Sequence, residues 1–357
     1  MQKIETRLIK IDAQTVETRD KDQIEQAAEM LRHGELVVFP TETVYGLGAN
    51  ALDPQAAEQI FRAKARPFSD PLIVHIADIS ALEALVTSVP ENAWRLAQAF
   101  WPGPLTMILP ASAKIPGLIT SGLPNVAIRM PNHPIARTLI RAAGIPVAAP
   151  SANRFMHVSP TTAQHVYDDL NGRVPLILDG GPCTVGVEST VLNLCSEVPT
   201  ILRPGGISLE ALRAIIPQVQ PPSPRSINTE QEIAQAAPGQ MLIHYAPQVP
   251  AYLFDGSPEA MRIAMLEEIQ QRQQEGELVG ILIADDDLVA FQDSNAIVYS
   301  LGNTPEQIAT RLFAGLRTLE AAGVQTILCR SFDAQGLGLA VHDRLLKATG
   351  GKIKKLD

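Results

Sequence analysis

Lys64 and Arg66 stand one residue apart just ahead of Pro67, where a helix is expected to end. Two cations so placed can face one anion: Arg grips phosphate oxygens bidentately and Lys adds a compact charge. The same pair could instead be a solvated helix end complementing the dipole. Ser151 and Asn153 follow a short apolar run, and Ser159 comes shortly before a further helix. Hydroxyls ahead of a helix N-terminus bind phosphate with help from backbone N–H groups, or simply cap the helix. Arg129 closes a strand and could hold a carboxylate or point to solvent. His75 closes another, and a lone histidine reads first as structural. Thr41, Glu42, Thr43 and Tyr45 lie at the C-terminal end of a buried strand, where open α/β sheets tend to bind ligands. An ordinary strand-to-loop turn is the alternative. Gly46 and Gly48 would let backbone approach a ligand or turn sharply. Cations, hydroxyls and glycines are present without a nucleophile–base pair or a metal cluster. That inventory suits gripping a nucleotide's phosphates and a small zwitterion, not covalent catalysis.

The bulk numbers point the same way. With 357 residues, 46% of them hydrophobic, the chain can bury two cores. Aromatics at 4% and a net charge of −9 count against a nucleic-acid platform. Cys183, Cys195 and Cys329 form no C-x-x-C pair, which suggests reduced thiols in a cytoplasmic setting. The N-terminus opens in mixed charge, unlike a signal peptide, and no run approaches the ~18 apolar residues of a membrane span. Gly350-Gly351-Lys352 imitates the end of a phosphate-binding loop but lacks its upstream glycine and its Ser/Thr. No G-x-G-x-x-G follows a strand, and H-E-x-x-H and G-x-S-x-G are missing.

These residues need a scaffold, and its rhythm is α/β. Helical spacing marks Asp22–Arg32, a helix from Asp53-Pro54 toward Ala63, Glu91–Phe100, Pro134–Ala143 with Gly144 as its stop, and Thr161–Leu170. Short strands are expected at Leu36–Phe39, Leu72–Ile76, Thr106–Leu109, Val126–Met130, Val147–Ala149, Leu176–Leu178 and Thr190–Leu194. Their irregular spacing favours a mixed sheet. Gln218–Gln240 is rich in Pro, Gln and Ser and reads as an extended linker, closed by His244-Tyr245 as a cover or a packed turn. A second rhythm follows: strands Ala251–Phe254, Leu278–Ile283 and Gln325–Cys329, and helices Pro258–Gln273, Pro305–Ala322 and Leu339–Thr349. The basic tail Lys352–Lys355 is expected to fray.

In this order and spacing the motifs resemble the threonylcarbamoyl-adenylate synthase family in its long form. The resemblance rests on Phe39 to Gly48, Lys64-Ala65-Arg66-Pro67 with Pro71 to His75, and Val126 to Arg129. It continues through Pro150-Ser151-Ala152-Asn153 with Ser159 to Thr162, Gly186 to Thr190 and Leu202 to Gly205. Pro238-Gly239 through His244-Tyr245-Ala246-Pro247 marks the long form. The resemblance implies an N-terminal YrdC-like domain at residues 12–216, with a twisted mixed sheet and flanking helices. A linker or lid at 217–248 and a smaller Rossmann-like α/β domain at 249–350 would follow.

It implies that L-threonine, bicarbonate or CO2 and ATP give threonylcarbamoyl-AMP and pyrophosphate. The product would pass to a tRNA threonylcarbamoyltransferase complex, for N6-threonylcarbamoyladenosine at position 37 of tRNAs reading codons that begin with A. Weak direct contact with tRNA is compatible with it, and membrane association is not expected. By resemblance Lys64, Arg66, Asp70, Asn125, Ser151, Asn153, Ser159, Arg203 and Tyr245 would meet ATP, with Mg²⁺ held mainly by its phosphates. Thr43, His75, Arg129, Ala149 and Ser189 would hold threonine, and Tyr245 would lie over the site. No side chain is expected to act as nucleophile or base, so Lys64→Ala and Arg66→Ala should lose activity without unfolding. The chain departs from the family pattern at Ala65 and Met156, where Gly is usual, at Asp70, where Asn is common, and at Asn125, where Thr is common. Asp70 beside a triphosphate would be repulsive unless Mg²⁺ or Lys64 intervened.

Overall fold

Asp53 caps a helix by accepting from the backbone N–H of Gln55, and Pro54 sets its first turn. Local signals of this kind recur through a computed structural model that describes residues 4–222 and 245–356. The helix they start, α2 (Pro54–Lys64), follows β1 (Arg7–Lys10), α1 (Lys21–Arg32), β2 (Val37–Phe39) and β3 (Gly46–Asn50). Then come β4 (Ile73–His75), α3 (Glu91–Phe100), β5 (Leu105–Pro110), α4 (Gly117–Thr120), β6 (Asn125–Arg129), α5 (Pro134–Ala143) and β7 (Val147–Ala148). The run closes with α6 (Ala163–Leu170), β8 (Leu176–Asp179), β9 (Thr190–Asn193), β10 (Thr200–Arg203) and α7 (Leu209–Ile215).

The ten strands form one mixed sheet in the order β1-β8-β2-β3-β7-β4-β6-β5-β9-β10. It already includes β1, upstream of residue 12. Strand β2 explains the layering. Val38 packs into a core with Ile60, Phe61 and Leu96, whereas Val37 and Phe39 pack with Ile24, Leu31 and Leu139. The sheet therefore has α1 and α5 on one face and α2 and α3 on the other. Strands buried on both faces lose the polar alternation that would mark them in sequence.

Gly46 and Gly48 are not a ligand-facing turn. They lie in β3, antiparallel to β2. A Cβ on Gly48 would come within 2.7 Å of the Phe39 ring and 3.0 Å of Val147, so glycine is needed for packing across the sheet. The helix expected from Thr161 starts at Ala163, because Thr162 is its cap and accepts from the N–H of His165.

Among the described residues, 156–158, 185–187 and 245–356 form a second compact unit, and 4–155, 159–184 and 188–222 form the first. The second unit contains β11 (Ala251–Asp255), α8 (Pro258–Gln274), β12 (Val279–Ile283), α9 (Leu288–Phe291) and β13 (Ile297–Ser300). They are followed by α10 (Pro305–Ala321), β14 (Thr326–Arg330), α11 (Gly338–Ala348) and β15 (Ile353–Lys355). All pairings are parallel, in the order β13-β12-β14-β11-β15. Val279, Ile281 and Ile283 face the core under α8, while Gly280 and Leu282 face α10. The basic tail is not frayed: β15 pairs with β11 from Leu253↔Ile353 to Asp255↔Lys355.

Two short segments from earlier in the sequence complete this unit. Arg317 of α10 donates to the Val158 carbonyl, and His157 Nε2 lies 2.9 Å from Glu320 Oε2. Gly186 (φ +78) lies so close to α10 that a Cβ would sit 2.3 Å from Thr310 Cα. Of the expected linker, residues 223–244, including His244, lie outside the described residues. Among the described residues no helix is long and apolar enough to cross a membrane.

Candidate functional site

Helix α2 ends on Lys64, only 1% exposed, and Ala65 caps it in the left-handed region (φ 54). Glycine reaches that region without cost, which explains why Ala65 is a departure. Met156, the other departure from Gly, also has a positive φ, 67. Past the cap, the Lys64 ammonium donates to Ser151 O (2.5 Å), Asn153 O (2.6 Å) and Asn153 Oδ1 (3.2 Å). Lys64 thus pins the loop after β7 as well as bringing charge to it. Its removal would take a donor from the Ser151 and Asn153 carbonyls, so Lys64→Ala is expected to cost stability as well as activity. Ser151 Oγ donates to Asn153 Oδ1 at 2.5 Å, and the loop is stitched to β3 through Leu47 N–Pro150 O and Ala152 N–Tyr45 O.

Arg66 turns back on its own loop. Nη2 lies 2.9 Å from Asp70 Oδ2 and donates to Pro71 O at 2.9 Å, and Nε donates to Asp70 O. Asp70 is buried, and neither carboxylate oxygen receives an aligned hydrogen bond among the described residues. Burial raises its pKa above the usual carboxylate value, against the lowering charges of Arg66, Lys64 and Arg203. Three cations therefore act on one buried acid, which answers the repulsion expected of Asp70: the cations already surround it.

Arg203 closes β10 and reaches β9. Nε and Nη2 donate to Ser189 O at 3.2 and 3.0 Å, and Nη2 also donates to Ser189 Oγ at 3.1 Å. The following Gly205 packs flat on that strand's entry, where a Cβ would lie 2.3 Å from Glu188 O. Ser189 Oγ is 2.7 Å from Thr106 Oγ1. Ser159 donates to Glu188 Oε1 at 2.5 Å, so its hydroxyl is held by a buried acid.

His75 and Arg129 lie in register on neighbouring parallel strands, β4 and β6. Burial first, and then the Arg129 charge, pull His75 down to about 3, so its ring is neutral; Nδ1 is 3.2 Å from Ile73 O. Arg129 Nη2 is 2.7 Å from Glu42 Oε1, with both side chains buried. Thr41 Oγ1 donates to Val44 O and therefore receives the Thr43 hydroxyl at 2.8 Å, which leaves Thr43 Oγ1 free to accept. Ala149 is buried beside this group, its N–H bonded to Ile73 O.

Two of the expected residues, Asn125 and Tyr245, remain. Asn125 opens β6, four residues or about 13 Å of strand from Arg129, half-buried and paired with Pro110 of β5. Tyr245 belongs to the second unit. Its backbone has φ 62, and its ring lies 5.5 Å from Phe313 with the Arg344 guanidinium 4.8 Å above it. Sequence reasoning placed Glu42 at a ligand-binding strand end and Glu188 in a motif, but assigned neither to a substrate. Their signal was there: both are acids set among residues that otherwise read as buried strand ends.

A family profile described as "Telomere recombination" matches residues 29–205, and one described as "Threonylcarbamoyl-AMP synthase, C-terminal domain" matches residues 207–350. The threonylcarbamoyl-AMP synthase of Bacillus subtilis is 47% identical over 334 residues, 93% of this chain and 94% of the relative. That of Pyrococcus abyssi is 45% identical over 94% of this chain and 96% of the relative. The crystal structure of P. abyssi Sua5 complexed with L-threonine superposes with a TM-score of 0.89 at 42% identity, covering 99% of both chains.

Proposed function

The chain belongs to the threonylcarbamoyl-AMP synthase family, and we propose that the buried groups of its first unit form the two subsites of that reaction. The amine of L-threonine, after its ammonium proton passes to solvent, adds to CO2. The N–C bond forms, a second proton leaves to solvent and a carbamate results; from bicarbonate one water is lost in place of that second proton. A carbamate oxygen attacks the α-phosphorus of ATP, the bond to the β-phosphate bridge breaks, and threonylcarbamoyl-AMP and pyrophosphate form. Thr43, His75, Arg129, Ala149 and Ser189 hold threonine, with Arg129 on its carboxylate. Lys64, Arg66, Asp70, Asn125, Ser151, Asn153, Ser159 and Arg203 are assigned to ATP. The observation that carries this assignment is the contact of Arg203 with Ser189 Oγ at 3.1 Å. A residue of the phosphate group there touches a residue of the threonine group, as an attack between their ligands requires.

The chemistry is positioning and charge neutralisation. The thiols are pushed up by burial, Cys195 to about 11 and Cys329 to about 12, so neither offers a thiolate at neutral pH. Neutral His75 can orient a polar group without adding charge. Arg66 and Arg203 are buried donors for phosphate oxygens, while Lys64 holds the loop that presents Ser151 and Asn153. Among the described residues no group of three His, Cys, Asp or Glu could hold a metal ion. Mg²⁺ arriving with ATP would supply neutralisation of the triphosphate.

The product, a mixed anhydride, is consumed by a tRNA threonylcarbamoyltransferase complex in the cytoplasm, where free cysteines stay reduced. The test is pyrophosphate release from ATP in the presence of bicarbonate, with and without L-threonine. A rate that does not change when threonine is left out would sink the proposal.

A further inference from the structure

The threonine group contains an acid that the reaction as described does not use. Glu42 is 6% exposed, and neither of its carboxylate oxygens receives a hydrogen bond among the described residues. Its neighbour Arg129 is equally unfinished: Nη2 lies 2.7 Å from Glu42 Oε1 yet donates no aligned bond, and Nε reaches Gly103 O only at 3.4 Å. His133, whose Nδ1 is also unpartnered, and Cys183 are the other titratable groups that feel the Glu42 charge. Burial keeps His133 low and Cys183 high. Neither supplies a positive charge at neutral pH, so Arg129 is the cation facing Glu42.

A structural ion pair looks different in this same unit. At the surface, Arg141 gives Asp78 two aligned bonds of 3.0 and 2.8 Å. The buried pair, which has far more to gain from alignment, is left in contact but unbonded. Such a pair is suited to accept a guest that completes both partners. An α-amino acid carries its carboxylate and its ammonium on one carbon, so a receptor for it needs a cation and an anion side by side.

We propose that Glu42 is a binding residue for the α-ammonium of the amino-acid substrate, and that Glu42 with Arg129 forms a cradle for the zwitterion. The proposal rests on the assignment of Arg129 to the threonine carboxylate. The guest exchanges one misaligned contact for two charge-assisted ones. Once the ammonium passes a proton to solvent, the amine that must meet CO2 is already fixed relative to the carboxylate, and selection falls on amino acids over hydroxy acids.

Calorimetric titration of the full chain with L-threonine, and with 2,3-dihydroxybutyrate of the same stereochemistry, tests it. Wild type should prefer threonine by roughly ten- to a hundred-fold, the scale of one charge-assisted hydrogen bond. Glu42→Gln should weaken threonine by a similar factor, leave the hydroxy acid within about threefold and so abolish the preference. Glu42→Asp, which keeps the charge, should retain a preference. Equal binding of both ligands by wild type overturns the proposal whether or not the variants fold, as does an equal loss for both ligands in Glu42→Gln. If wild type binds the hydroxy acid but not threonine, the assignment of the threonine subsite itself fails.

Discussion

His75 and Arg129 face each other in register across the parallel strands β4 and β6, and the guanidinium works with burial to keep the imidazole neutral. A histidine at about 3 in the native state and about 6.5 when unfolded binds fewer protons folded than unfolded below pH 6.5. The stability this brings is present above pH 6.5 and is lost as pH falls toward 3, by at most about 1.4 kcal/mol per unit. Urea midpoints at pH 7 and pH 5 should therefore differ more in wild type than in His75→Gln. Parallel pH dependences in the two proteins would show that His75 does not titrate in this way.

Lys64→Ala should cost stability as well as activity. Two backbone carbonyls of the loop after β7, those of Ser151 and Asn153, lose the ammonium as a donor, which places the loss at roughly 1–3 kcal/mol. Lys64→Arg should not restore either property, because a planar fork does not replace three converging donors. Denaturant unfolding together with pyrophosphate release checks both. A variant as stable as wild type would show the loop to be held by other contacts.

Ala65→Gly should stabilise the protein. The left-handed cap costs an alanine about 1–2 kcal/mol, from which the extra freedom of glycine in the unfolded chain takes back part. A net gain of about 0.5–1 kcal/mol, or a Tm higher by about 2 °C, is expected with turnover unchanged. A lower Tm would mean that neighbouring contacts already absorb the strain.

Asp70→Asn should lower KM for ATP several-fold and leave KM for threonine alone. The carboxylate draws on Arg66, Lys64 and Arg203, the cations assigned to phosphate, and an amide would release them. Steady-state kinetics with each substrate varied in turn decides it. No change in the ATP parameter would place these cations away from the nucleotide.

Thiol labelling should report one cysteine in the native protein and three after denaturation. Cys195 is exposed, whereas Cys183 and Cys329 are buried. With Cys195 pushed up to about 11, its labelling should speed up steadily from pH 7 to 9. Two or more fast-reacting thiols at pH 7 would contradict this.

Helices announced themselves wherever a cap or a stop was written into the chain. Asp53-Pro54 starts α2, and Pro134 and Gly144 bracket α5 as expected. Strand β3 did not, because Gly46 and Gly48 look like a turn until the Phe39 ring that demands them is in place. The edge strands β1 and β15 are made by their partners β8 and β11 and carry little signal of their own. In the site, motif order singled out the residue types. What it could not reveal was pairing: Glu42 against Arg129 and Asp70 against Arg66 depend on loops meeting in space.

The bonds of Val158 to Arg317 and of His157 to Glu320 span 159 and 163 residues. During synthesis the ribosome releases Met156–Val158 and Val185–Val187 well before α10 exists to receive them. Closing loops of that length is slow and entropically unfavourable, so these two segments finish folding last. The chain is thus two compact units in space but one unit in time. A nascent fragment stalled before Ala321 should show Gly186 and its neighbours open to protease, and release of the full chain should protect them.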